Sequence, residues 1–160
     1  MLAILIQLFI RWAVARTRHG ARRVVTFEGK LLFERYEFLR ADEWGDSLWD
    51  EHREKYPTRP GKLPWWLPFN AFLHNWKPEP GFEEDLHDHP RWSITVCLKG
   101  QIIERTPWGS CRLKPGSVVF RSRKAIHGFA LPEELQGEIW TLFIVGRRKH
   151  RQNTYVVTAR

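Results

Sequence analysis

The chain has 160 residues, 42% of them hydrophobic, and a formal net charge of +8. That length supports one substantial core and leaves too little chain for a second independent domain. Its two cysteines, Cys97 and Cys111, exclude a disulfide framework and fit a reducing, cytoplasmic setting.

The charge lies at the ends. Residues 1–23 hold five arginines and no acid, and residues 147–160 hold five basic residues and no acid, so sixteen basic residues face eighteen acidic ones between them. A middle segment of net charge −2 gives no reason to expect a broad nucleic-acid surface, and any contact with nucleic acid falls to the basic termini.

The opening run MLAILIQLFI is apolar, but it is about half the roughly twenty residues that span a bilayer. It also has no basic residue ahead of it and Arg11 directly behind it, the reverse of a secretory leader. It reads as a helix or strand covering the domain or a partner subunit. The alternative is peripheral attachment to an anionic membrane through residues 1–16, with the arginines at the headgroups.

VVTFEGKLLFERY then carries two β-type runs around Glu28 and Gly29, the pattern of a hairpin. DEWGDSLWDEHREKY reads as a short surface helix stopped by Pro57 and Pro60, followed by the aromatic connector PTRPGKLPWWLP. Residues 69–76, FNAFLHNW, read as a strand, and KPEPGFEED as a loop. From residue 87 onward SITVCLKG, QIIERT, SVVFRS, HGFAL and EIWTLFIVG are short β-type runs separated by PWGS, KPG and PEELQG turns. Short strands at this spacing argue for an antiparallel sandwich or barrel.

His87 and His89 open that region in the sequence LHDHPRWSITVCLKG. On a strand, residues two apart share a face and stand about 7 Å apart, within reach of one metal ion. If residues 87–98 form one strand, Arg91, Ser93, Thr95 and Cys97 share the histidine face, and Trp92, Ile94, Val96 and Leu98 form a greasy opposite face. That second face needs cover from another sheet, from the N-terminal segment or from a second subunit, the last giving a homodimer.

Gly100, Gly116 and His127 follow at spacings that, with the HxH, resemble the two motifs of the cupin superfamily. The first motif there is HxH, a glutamate, six residues and glycine, and the second is glycine, five residues, proline, one residue, glycine, two residues, histidine, three residues and asparagine. Here the glutamate slot holds Ser93, the proline slot Ser122, the second glycine slot Lys124 and the asparagine slot Leu131. The resemblance covers roughly residues 69–146. It implies an all-β chain, a cupin-type jelly-roll β-barrel over residues 24–160 with short helical or extended N-terminal additions in residues 1–23.

The resemblance also implies a metal site of His87, His89 and His127. Three neutral imidazoles suit iron, zinc, nickel, manganese or copper, and the spacing does not choose among them. Without the glutamate, the ion's charge stays uncompensated, which favours anionic ligands. Ser93 and Asp88 are candidates to touch the site from behind, with Asp85 beside them. Glu104 is the candidate acid or base, or else a surface carboxylate paired with Arg105. Arg91 and Arg121 are candidates to hold an anionic small molecule at the mouth, Cys97 either lines the pocket or fills the core, and His74 is a more distant neighbour. Two functions follow: a metal-dependent dioxygenase, isomerase or decarboxylase, or a non-catalytic ligand-binding, sensory or structural barrel.

Overall fold

The computed structural model describes residues 1–17, 22–27, 30–39, 69–77, 82–89, 91–132, 137–146 and 156–157. The expected surface helix before Pro57 and the aromatic connector lie outside them. Among the described residues one helix, α1 (Leu2–Arg16), precedes eleven strands: β1 (Arg22–Phe27), β2 (Lys30–Leu39), β3 (Phe69–Trp76), β4 (Leu86–His87), β5 (Ser93–Lys99), β6 (Ile102–Thr106), β7 (Gly109–Leu113), β8 (Val118–Arg121), β9 (Gly128–Ala130), β10 (Ile139–Gly146) and β11 (Val156–Val157).

The expected hairpin is present, β1 pairing antiparallel with β2. It extends a six-stranded antiparallel sheet ordered β1-β2-β3-β10-β5-β8. Opposite it stands a three-stranded sheet, β7-β6-β9, and the pair β4-β11. Residues 82–87 run antiparallel to residues 127–131 through Leu131 N–H to Phe82 O at 2.9 Å, Glu84 N–H to Phe129 O at 2.7 Å and a reciprocal backbone pair between His87 and His127. That segment joins β4 to the edge of β9. The jelly-roll character expected from the strand pattern is there, but the hydrogen-bonded sheets of the described residues stay open and do not close into a barrel.

β3 shows how the large sheet is buried on both faces. Its seven residues from Asn70 to Trp76 are all buried, as expected of a strand covered on each side. Ala71 and Leu73 face a cluster with Ile10, Ala13, Tyr36, Phe38 and Trp140, where α1 packs, while Trp76 faces a cluster with Phe33, Cys97, Ile102, Leu113, Phe129, Leu131 and Ile139. Of the greasy face of β5, only Leu98 packs with the cluster under α1, beside Leu142 and Ile144 of β10. At the β8 edge, Val118 and Phe120 remain 64% and 66% exposed.

Strand parity within β5 is as expected: Ser93, Thr95 and Cys97 are buried, and Ile94, Val96 and Leu98 are half-buried. The expectation of one strand from 87 to 98 is corrected. β4 ends at His87 and β5 begins at Ser93, because Pro90 has no N–H to give a ladder and restricts the residue before it. β7 is an addition, since GSCRL lacks a run of β-branched or aromatic residues. It forms because the Pro107–Trp108 turn folds it back on β6, leaving Trp108 86% exposed. Gly100 at the end of β5 has φ +75°, and a Cβ there would stand 2.8 Å from the Glu138 carbonyl oxygen. This motif position takes glycine for both reasons.

Candidate metal centre

Cross-strand pairing builds the site. His87 and His127 exchange both backbone hydrogen bonds, at 2.8 and 2.9 Å, so their side chains leave the same face of the ladder. Their ring centroids are 5.2 Å apart. Gly128 permits the close approach of the two segments, because a Cβ there would meet the Glu84 carbonyl oxygen at 2.7 Å. Two residues after the end of β4, His89 sets its ring 4.7 Å from that of His87 and 5.1 Å from that of His127. One ligand atom from each of the three lies within 4.8 Å of the others.

Hydrogen bonding fixes part of the protonation. Nδ1 of His87 is 2.9 Å from the Asp85 carbonyl oxygen, which can only accept, so Nδ1 carries a proton and Nε2 is the ring nitrogen left to face the cluster. That Nε2 stands 3.2 Å from Nε2 of His89. Two nitrogens bound to one ion at about 2.0–2.1 Å are themselves about 3 Å apart, so the spacing fits shared ligation. His127 is 1% exposed, and neither of its ring nitrogens has a hydrogen-bond partner among the described residues. A buried imidazole with no partner is costly in a site that holds nothing else. The donor set and the orphaned nitrogens fit a divalent metal ion.

Electrostatics keep His89 and His127 neutral. Burial first, then the neighbouring His87 and the charges of Arg121 and Arg35, lowers His89 to about 4. Burial and Arg121 lower His127 to about 2, and burial with Arg35 holds His74 well below its ordinary value. In the unfolded chain each takes a proton near pH 6.5, whereas the folded protein refuses it, so protons bind the unfolded state more strongly below that pH. Stability of the metal-free protein is expected to be complete above about pH 6.5 and to fall steadily towards pH 4, a trend that urea midpoints across this range will report.

Glu104, expected as an acid–base group or a surface carboxylate, is 4% exposed. Its Oε1 accepts from Nε of Arg121 and lies 3.5 Å from Nδ1 of His127. Arg105 pairs instead with Glu83, at 2.8 Å. Arg121 is buried too, donating Nη1–H to Thr95 Oγ1 at 2.8 Å and lying over the Phe129 ring. Glu104 on β6 and Arg121 on β8 thus tie the two sheets together behind His127.

The remaining expected residues separate. Arg91 is buried, with Nη1 donating to the Gly146 carbonyl oxygen at 3.2 Å, so it braces the end of β10. Ser93, in the glutamate slot, is fully buried, and its hydroxyl has no hydrogen-bond partner among the described residues. Cys97 sits in the apolar core, its thiol 3.5 Å from the Gly100 carbonyl oxygen and pushed up to about 11 by burial. Asp88 is half-buried and acts on His89 through its charge. His89 is thereby offset by Asp88, while the Asp85 backbone, and not its carboxylate, orients His87.

Two neighbours were not expected. Glu84 places Oε1 3.8 Å from Nε2 of His87 while Oε2 accepts the Phe129 N–H at 3.1 Å, and burial raises its proton affinity. Arg35 donates Nε–H to Nε2 of His74 at 3.1 Å, beside the rings of Phe33 and Phe72. Neither lies inside the two motifs. Only the β-type alternation of LLFERYEF hinted that a charged residue of β2 faces inward.

No protein-family model matches the chain, and no curated protein sequence matches it. Solved structures do. A cupin-2 domain from Rhodospirillum rubrum is 14% identical with a TM-score of 0.57, over 88% of this chain and 77% of that one. The chain has the cupin fold. Another match in shape is a structure described as DMSP lyases, at 15% identity and TM-score 0.62 over 96% of this chain and 70% of that one. The polyketide cyclase RemF from Streptomyces resistomycificus is 13% identical with TM-score 0.54, over 89% of this chain and 78% of that one. In this cupin-like chain the HxH and the second-motif histidine meet, and Ser93 stands where the motif has its glutamate.

Proposed function

We propose that this cupin-like protein holds one divalent metal ion through His87, His89 and His127 and binds or converts a small anionic molecule there. The observation that carries this reading is the convergence of three imidazoles, with the His127 nitrogens buried and unpartnered among the described residues. A bound ion would supply Lewis acidity and open coordination positions. The chain's own residues do the rest. The Asp85 carbonyl orients the His87 ring, and Glu104, paired with Arg121, sets a carboxylate oxygen 3.5 Å from Nδ1 of His127.

Glu84 is the acid–base candidate, replacing Glu104 in that role, since its raised proton affinity and its place 3.8 Å from His87 suit proton exchange at the edge of the site. Three neutral ligands leave the ion's charge uncompensated, and the nearby cations Arg121 and Arg35 add to it, so an anionic group is the favoured guest. Fold neighbours described as a cyclase and as DMSP lyases support chemistry on small molecules without selecting a reaction. The competing reading, a binding module without metal, draws on Ser93 in the glutamate slot.

Elemental analysis of protein purified without a histidine tag tests the proposal. About one equivalent of metal per chain is expected after reconstitution, and less than about a tenth would overturn it.

A further inference from the structure

The helix α1 carries two apolar faces, and the fold uses one. Ile10 and Ala13 are buried against the large sheet, with Ile6, Phe9 and Val14 packed beside them. On the other side Met1, Ile4, Leu5, Leu8 and Trp12 are 97%, 65%, 55%, 55% and 50% exposed. At about 100° per residue these five fall on one arc about 100° wide, and the helical positions of Arg11 and Arg16 border it on either side. A contiguous exposed apolar patch rimmed by polar residues marks an interaction surface.

We propose that this face of α1 lies on an anionic lipid bilayer, in the plane of its interface. Charge complementarity selects that occupant: residues 1–23 contain five arginines and no acidic residue, which suits anionic headgroups. A second copy of the chain seated on the same arc would set these arginines against their equivalents with no carboxylate in the segment to offset them. The helix has 15 residues, a length of about 22 Å, and no helix among the described residues is long and apolar enough to cross a membrane. It therefore rests on the surface. Trp12, on the side of the arc that the position of Arg16 borders, is the kind of amphipathic ring that settles at the headgroup level.

Flotation of the full chain with vesicles of phosphatidylcholine alone or with about a third phosphatidylglycerol tests this. Recovery is expected with the anionic vesicles, falling at high salt, and the variant Leu5→Gln/Leu8→Gln is expected to lose at least about tenfold in partitioning. Both leucines are exposed, so an unchanged thermal melt will confirm that the variant keeps the fold. Equal recovery with both vesicle types, or none with either, overturns the proposal. So does a wild-type dimer that the same variant converts to monomer, which would assign the face to a second copy.

Discussion

Replacing His127 with alanine is expected to lower metal affinity by at least about 100-fold, because loss of a mere outer partner of a ligand already costs about 10–100-fold. The backbone pair with His87 does not depend on the side chain, so the frame of the site is retained. Apo-protein stability separates this from a structural role. A core histidine that merely fills space would be hydrogen-bonded, and its removal would leave unpaired groups and a cavity. His127 has no hydrogen-bond partner on either nitrogen among the described residues, and its 3.5 Å approach to Glu104 is long for a hydrogen bond. Removing it therefore relieves a desolvation cost of about 1–3 kcal/mol while creating a cavity of comparable cost. The metal-free variant is expected to melt close to the metal-free parent, and chelator competition on both proteins gives the affinity. An unchanged affinity would remove His127 from the ligand set.

Much of this arrangement was legible in the residues. The alternation of β5 placed Ser93, Thr95 and Cys97 on the inner face, because that is set by short-range geometry with period two, and the spacing of His87, His89, Gly100 and His127 was legible through its resemblance to the cupin motifs. What failed to show depends on contacts between distant strands. The end of β4 is one case: His89 reaches the cluster from beyond the strand rather than along it. Glu84 enters because residues 82–87 dock beside β9, and nothing in GFEED marks that docking. Likewise QIIERT reads equally well with Glu104 outside or inside. Only the partner strand β8, which presents Arg121 from the opposite sheet, makes burial of that carboxylate tolerable.

That last contact carries a large stability consequence. Glu104 and Arg121 are 4% exposed each, and the guanidinium is held by the carboxylate and by Thr95. Glu104→Ala leaves the Arg121 charge buried without its counter-ion, and breaking a buried pair in this way costs about 3–5 kcal/mol. Replacing the pair together, as Glu104→Leu with Arg121→Met, removes the desolvation of both charges and is expected to restore most of the loss, since well-packed apolar pairs often match buried ion pairs. Urea unfolding of the three proteins at neutral pH measures both effects, and a loss below about 1 kcal/mol for Glu104→Ala would show the pair to be screened rather than buried. Glu104→Gln separates positioning from scaffolding. It keeps the shape and one acceptor for Arg121, yet takes the negative charge away from Nδ1 of His127. If Glu104 orients that ligand, the glutamine variant stays folded and binds metal about 10–100-fold more weakly; if it serves only to join the sheets, affinity follows stability and scarcely moves.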